Sequence, residues 1–585
     1  MSAGEREGAI SCRIPSEARE SPVRNHERRC ARNGRIHRIA ALTVEIRGFT
    51  RANNATNAKL LNCLFGNIAK FPALVRKICH PPNRQPPYDS FRETRRLPPR
   101  APPGNNSYVE REILCVNAKH RNASREGQPP CRPLSTKCHN ENLPSATSPR
   151  FYDILFCMKK GKYRPRIADS TLKDILSCTG AVLVEGPKWC GKTTTAARQA
   201  ASVLYMDETG KKDANIALAK LNPVKLLSGE HPRLIDEWQL APSIWDDVRF
   251  NVDRASEYGQ YILTGSSVPP KTDEMHHTGT GRIARFRMRP MSLWESEESS
   301  GSVSLGLLFS GEAPTTADAN VLGLEGIAFA ACRGGWPEAV GQSGRFALRH
   351  AFDYVDAVAA SDISRFDGVA RDAECARAIM RSYARLQGTQ ASIGVITTDL
   401  SAHEGRTFGE NTIYSYLNAL RGIFVVDDVS AWHPSLRRKT TVRASDTRYF
   451  ADPSIAAASL GFGPNSLQDD LPTFGIVFET LAIRDLRAYA DALDGTVHHY
   501  LDRNGLECDA VIRLRDGRYG LVEIKLGGDV LIDKGCETLN KLSSCLDTSR
   551  MHAPSFRMVL TAVGEYAYQR KEDGVIVCPI SALRP

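Results

Sequence analysis

Gly180–Arg198 reads GAVLVEGPKWCGKTTTAAR. A short apolar run, Ala181–Val184, leads into Gly186-Pro187-Lys188-Trp189-Cys190-Gly191-Lys192-Thr193-Thr194, and an alanine-containing, helix-forming run follows. This is the G-x-x-x-x-G-K-[ST] pattern in the strand–loop–helix context it needs. The glycines let the backbone curl so that successive N–H groups face phosphate oxygens, and the start of the helix adds the positive end of its dipole. Lys192 would reach the β- and γ-phosphates, and the Thr193 hydroxyl would hold Mg²⁺. ATP and Mg²⁺ are therefore the expected cofactors, with residues 186–194 as the cradle.

Downstream, short apolar runs alternate with helical stretches. Ser202–Asp207, Pro232–Asp236 and Gln260–Thr264 read as strands, and Asn215–Leu227 and Ser243–Ser256 as helices. Alternation at this spacing predicts an α/β fold, a parallel sheet with helices on both faces. The third strand ends in Leu234-Ile235-Asp236-Glu237-Trp238. There Asp236 would hold the Mg²⁺ through water, and Glu237 would orient or deprotonate the attacking water. Acidic pairs after strands are also ordinary helix caps, so the P-loop is what gives this one its meaning. The fourth strand ends Thr264-Gly265-Ser266-Ser267, where the Thr264 or Ser266 hydroxyl would sense the γ-phosphate; a plain turn is the alternative.

GPKWCGKT, LIDEWQ with IWDDVR, ILTGSS and GRIARFRMRPMSLWE together resemble the AAA+-type ATP-binding proteins of bacteria and archaea, which end in a C-terminal domain of uncharacterised function. The resemblance covers residues 160–585. It implies a charge-stabilising role for Arg282, in cis or from a neighbouring subunit, which would make the protein a homo-oligomer. Arg285, Arg287 and Arg289 follow at strand spacing, where a solvated face is the plainer expectation. Residues 290–372 resemble the family's helical lid, with Gly334-Gly335-Trp336-Pro337-Glu338 matching its signature. A tight turn packing Trp336 into the core accounts for that signature without chemistry.

Beyond the lid, Ala376–Gln387, Thr397–Ser401 and Asn411–Leu420 read as helices, and Ile423–Val429 and Arg443–Phe450 as two strands. Three helices and a two-stranded wing predict a winged-helix module over 373–469. It would present Asn411, Thr412, Ser415 and Asn418 to DNA and Arg437, Arg438 and Lys439 to its backbone, although such modules also serve as protein contacts. Residues 470–585 open with a helix, Gly475–Tyr489, and continue with strands at Val497–Asp502, Cys508–Leu514, Gly520–Lys525, Phe556–Leu560 and Gly574–Pro579. This order resembles the restriction-endonuclease-like core, D-x(n)-E-x-K. The resemblance implies Asp509 and Glu523 sharing a Mg²⁺, Glu479 completing the metal site, and Lys525 positioning the attacking water. Glu and Lys two apart on a strand are also a routine exposed pair, so a non-catalytic recognition domain is the alternative.

Charge and cysteines bound the remaining possibilities. The 585 residues carry a formal net charge of +11, but 27 Lys/Arg against 13 Asp/Glu lie in residues 1–157, and 50 against 53 lie in the rest. The basicity thus belongs to the N-terminal stretch and argues nothing about DNA binding by the remainder. That stretch is proline-rich, with PPNRQPP at 81–87 and LPPRAPP at 97–103, and lacks sustained periodicity. It is expected to be either a disordered basic arm or the product of a start codon assigned too early, with Met158 the real start; the ATPase core is then 158–289. Cys131, Cys138 and His139 fit no zinc-finger spacing. The 16 cysteines show no pairing pattern, which suggests a reducing cytoplasm. No apolar run approaches a membrane span.

Overall fold

The computed structural model describes residues 163–269, 275–434 and 442–585. The basic N-terminal stretch, Met158 and the basic loop Arg437, Arg438 and Lys439 lie outside the described residues.

The chain first forms α1 (Ile167–Cys178), whose Leu172 and Leu176 are buried against the first strand. There follow β1 (Ala181–Glu185), α2 (Lys192–Gln199), β2 (Ser202–Tyr205), α3 (Lys212–Leu221), α4 (Pro223–Leu227), β3 (Arg233–Asp236), α5 (Ile244–Ala255), β4 (Tyr261–Gly265) and β5 (Ile283–Arg287). These five strands make one parallel sheet in the order β2-β3-β4-β1-β5. The expected α/β core with an all-parallel sheet is therefore present. Strands β1, β3 and β4 are fully buried or nearly so, as parallel strands covered on both faces must be, while the edge strand β2 is half-buried. One predicted helix, 215–227, is two: Pro223 cannot continue α3, and Asn222 instead caps α4 by accepting from Lys225 N at 3.1 Å.

Residues 290–372 were expected to be a helical lid, and they contain α6 (Gly323–Arg333) and α7 (Gly344–Ala357), the latter running into a π-helical turn, Val358–Asp362. They also contain two short strands, β6 (Val303–Ser304) and β7 (Ala317–Asp318), whose partners lie near the C-terminus. The GG-W-P turn buries Trp336, as expected, with its indole N–H donating to Ser454 Oγ at 2.9 Å. A Cβ at Gly335 would collide with the Met291 carbonyl, so only glycine admits this crossing.

Next come α8 (Ala373–Arg385), α9 (Ile393–His403) and α10 (Glu410–Gly422). The two wing strands expected after them are not strands. Val426 pairs with Phe450 and Val429 with Thr447 as isolated antiparallel bridges. Between them the Asp428 carboxylate collects Arg421 (2.8 Å) and Arg448 (3.1 Å), so side-chain ion pairs stand where a continuous ladder was expected.

The C-terminal part has α11 (Leu471–Ala492), β8 (Gly495–Leu501), β9 (Glu507–Leu514), β10 (Tyr519–Lys525), α12 (Asp529–Cys545), β11 (Phe556–Thr561), β12 (Tyr566–Gln569), β13 (Ile576–Pro579) and β14 (Leu583–Arg584). Its sheet runs β7-β12-β13-β11-β10-β9-β8, with β10, β11 and β13 mutually parallel and the flanking pairs antiparallel. One continuous apolar core extends from Leu293 to Leu583, so the boundaries read at 372 and 469 are not boundaries of packing. The ATPase sheet has its own cores on its two faces. Among the described residues, all eight cysteines are free and no helix is long and apolar enough to cross a membrane.

Candidate functional site

The P-loop occupies the C-terminal end of β1. Gly186 takes φ 152°, and a Cβ there would collide with the Met288 carbonyl. Gly191, with φ 99°, opens α2. Cys190 is wholly buried, and its carbonyl accepts from the Arg166 guanidinium at 2.7 Å. Pro187 is buried, Thr194 is exposed, and Trp189 is 49% exposed in the left-handed region at φ 66°. Only a framework that over-determines the loop holds a tryptophan there.

Lys192 is buried, and its amine donates to the Gly186 carbonyl at 2.9 Å and the Pro187 carbonyl at 2.8 Å. The amine thus lies folded into the space that phosphate oxygens fill in a P-loop.

The expected partners converge on this point from neighbouring strands. Because β4 lies between β1 and β3, Thr264 is in register with both Val184 and Asp236. Asp236 Oδ1 accepts from Thr193 Oγ1 at 2.8 Å and also from the Thr264 hydroxyl. Burial pushes the Asp236 carboxyl up to about 6, although both threonine hydroxyls favour its ionised form. Glu237, at φ 55°, turns its carboxylate to Ser266 Oγ (3.0 Å) and to the Gln239 side chain. The structure therefore brings Thr193, Asp236, Glu237, Thr264 and Ser266 together beside the P-loop. A carboxylate and a hydroxyl hydrogen-bonded at this position fit a hydrated Mg²⁺ whose remaining ligands come from nucleotide oxygens.

Arg282 is elsewhere. It precedes β5 at the end where Ala181 begins β1, a strand length of roughly 16 Å from the P-loop. Its Nε pairs with Asp253 on α5 at 2.6 Å. Arg282 therefore lies at the opposite end of β1 from the P-loop of its own chain.

The plainer expectation for the arginines of β5 fails as well. Arg287 and Arg289, though they alternate at strand spacing, reach Asp427 at 3.0 and 3.4 Å, and Arg289 also pairs with Asp491 on α11. Only Arg285, beside Glu185 at 3.5 Å, keeps a half-exposed position.

Sequence patterns gave no sign of Arg166, which is buried and bridges Glu295 (2.8 Å), the Cys190 carbonyl and the Arg289 carbonyl (2.9 Å). An arginine just before an amphipathic helix looks like solvated charge until its partners, two of them over 120 residues away, are known.

A second polar cluster lies on the C-terminal sheet. Lys525 Nζ pairs with Glu523 Oε2 at 2.7 Å and Asp509 Oδ2 at 3.1 Å, and Ile524 N donates to the same Asp509 oxygen at 2.6 Å. Glu479, on α11, accepts from the buried Tyr449 hydroxyl. Burial, then the nearby Asp509 charge, holds the Glu479 and Glu523 carboxyls well above the usual carboxylate range. Although burial favours the neutral amine, Asp509 and Glu523 hold the Lys525 ammonium above the usual lysine range.

The three-carboxylate metal site expected from Glu479, Asp509 and Glu523 is not assembled. Among the described residues no group of three or more His, Cys, Asp or Glu side chains is placed to hold a metal ion, and the Lys525 amine stands between two of these carboxylates. Glu523 Oε1 is nevertheless buried without a hydrogen-bond partner.

Of the α10 residues expected from the sequence to face DNA, Asn411, Thr412 and Asn418 are exposed. Ser415 is not free: its hydroxyl accepts from Arg371 at 3.1 Å.

Comparison with known proteins places these sites in order. Residues 179–297 match the model of an AAA domain. Residues 324–466 and 474–583 match two models each described as a domain of unknown function, DUF8612 and DUF4143. No curated protein matches the chain. Among solved structures, the Walker-type ATPase PABY2304 of Pyrococcus abyssi is similar at 14% identity, covering 52% of this chain and 97% of its own, with a TM-score of 0.33. The structure of Drosophila ORC bound to DNA is similar at 14% identity, covering 56% and 96%, with a TM-score of 0.15. The AAA-domain match and the parallel sheet together make residues 179–297 a P-loop ATPase-type domain. Neither match further along the chain describes an endonuclease.

Proposed function

We propose that the protein is a Mg²⁺-dependent ATPase of AAA+ type. The observation that carries this is the hydrogen bond from Thr193, on the P-loop helix, to the buried Asp236 carboxylate at the end of β3, with Thr264 supporting it from the intervening strand. Bound Mg²⁺ supplies charge neutralisation for the β- and γ-phosphates. The chain's own residues do the rest: Lys192 leaves the Gly186 and Pro187 carbonyls for the phosphates, and Glu237, steadied by Ser266 and Gln239, orients the attacking water and accepts its proton.

The test is ATP turnover by the protein from Met158 onward, with and without DNA. Lys192→Ala should abolish turnover and Glu237→Gln should reduce it at least about a hundredfold, the usual reach of a positioned general base. Unchanged turnover in Lys192→Ala would mean that the wrong site has been chosen. Arg282 is assigned to the nucleotide of a neighbouring subunit, so mixing Lys192→Ala with Arg282→Ala protein should restore part of the lost turnover.

For the remainder of the chain, the order of α11, β8, β9, β10 and α12 and the unpartnered Glu523 oxygen support a nuclease-like domain acting on DNA together with the winged-helix-like helices α8–α10. Lys525 seated between Asp509 and Glu523 favours the alternative, a nucleotide-gated binding protein whose C-terminal domain recognises without cutting. Incubation of DNA with Mg²⁺ or Mn²⁺ separates the two. Cleavage lost in both Glu523→Ala and Lys525→Ala establishes the nuclease; DNA bound but uncut establishes the scaffold. The free cysteines support a cytoplasmic setting.

A further inference from the structure

The P-loop is gripped from outside by the segment that carries no assigned function. Lys188 Nζ pairs with Asp362 Oδ1 at 2.6 Å, and Trp189 meets the Tyr354 ring edge-on at 5.7 Å between centroids. Tyr354 in turn stacks on Trp336 at 4.5 Å. Two consecutive P-loop side chains thus contact α7 and the π-helical turn that ends it. Single π-turns inside helices recur at functional positions.

The two ends of the ion pair are unequal. The Lys188 side chain is 40% exposed and Asp362 only 11%. Lys188 follows Pro187, whose carbonyl holds the Lys192 amine, so both lysines belong to the loop-and-helix start that wraps the phosphates in a P-loop. A half-exposed ion pair is weakly held, whereas phosphoryl oxygens in a P-loop are strong acceptors for an ammonium.

The geometry points to Lys188 as a γ-phosphate ligand that Asp362 holds in reserve, so that ATP, but not ADP, takes the lysine and releases the carboxylate in the neighbouring module. This rests on the nucleotide reading above and adds what the site distinguishes and where the signal goes. ATP carries one phosphoryl group more than ADP, and it is that group which must outbid Asp362. Once Lys188 leaves, a largely buried carboxylate is stranded at the end of α7, and its need for water or a new partner biases the π-turn toward another arrangement.

Calorimetric titration of the full chain with ADP and with a non-hydrolysable ATP analogue tests this. Lys188→Met should weaken the analogue about tenfold and leave ADP within about twofold, the size of one charge-assisted contact. Lys188→Arg should restore the difference. Asp362→Asn frees the lysine and should strengthen the analogue severalfold without helping ADP, and the double variant should behave as Lys188→Met. A Lys188→Met protein that keeps the wild-type ratio of analogue to ADP affinity, or loses both ligands equally, overturns the proposal while leaving the ATP site in place. Weakened analogue binding in Asp362→Asn does the same. Wild-type protein that binds neither nucleotide overturns the ATPase reading itself.

Discussion

In the proposed ATP site Asp236 would carry both the metal and the pH response. Its carboxyl is pushed up to about 6 because burial outweighs the two threonine hydroxyls that bond it. Mg²⁺ needs the ionised form, so apparent Mg²⁺ affinity should fall about tenfold per pH unit below ~6 at subsaturating metal. Saturating Mg²⁺ should push that limb to lower pH. Thr264→Ala deletes one hydrogen bond to the carboxylate, worth about 1 kcal/mol, and should move the limb upward by roughly 0.7 unit. Turnover against pH at two Mg²⁺ concentrations measures it; an identical limb in Thr264→Ala would remove Asp236 from the assignment. At this scale the sequence was legible where residues form one contiguous pattern. A P-loop and an acidic strand end are contiguous patterns, and their residues met as read. What it hid were partners of distant origin, Glu295 for Arg166 and Asp362 for Lys188, since neither belongs to a local pattern.

Elements were legible where their periodicity was local and failed where their partners were remote. The parallel strands β1–β4 announce themselves as apolar runs, whereas β6 and β7 are two residues each and exist only because β14 and β12 lie beside them. The wing strands were over-read because Ile423–Val426 is a contiguous apolar run, while Asp428 just after it collects neighbouring arginines. Helix α12 was not anticipated at all: Val530 is 81% exposed and Leu531 41%, so its apolar residues do not trace a clean stripe at the start. Helix α11 shows a further element-scale device. Arg484, buried within it, pairs with Asp485 at 2.7 Å and with Asp452 at 3.0 Å; Asp485 accepts from Leu293 N and Asp452 from Gly335 N. One guanidinium therefore holds the carboxylates that anchor two separate turns. Arg484→Met leaves both acids buried without their cation and should cost about 3–5 kcal/mol, read from the midpoint of urea unfolding. Below pH ~6 the loss should shrink, because the Asp485 carboxyl, which burial raises to about 6, takes up a proton.

At the scale of the molecule, two sets of cores must act as one protein: those of the ATPase sheet and the continuous core from Leu293 to Leu583. Their connection is ionic at its centre. Asp427 sits among Arg287 at the end of β5, Arg289 just beyond it and Arg487 from α11, and the last two are themselves held near Asp491. Although burial favours protonation, Arg487, Arg289 and Arg287 hold the Asp427 carboxyl below the usual range. Its folded pKa is depressed, so the stability it contributes is present above the unfolded value near 3.8 and is lost as pH falls below it. Asp427→Asn removes an anion shared by arginines of both parts and should cost about 3–5 kcal/mol, most of it at their junction. Wild-type protein should therefore unfold in a single calorimetric transition at neutral pH, and Asp427→Asn in two, the earlier one belonging to the ATPase sheet with the smaller core. Nucleotide should move only that earlier transition upward, by mass action on the sheet that binds it. A single transition in Asp427→Asn, raised as a whole by nucleotide, would instead assign the coupling to the packing of α1 on α11, which the substitution leaves intact.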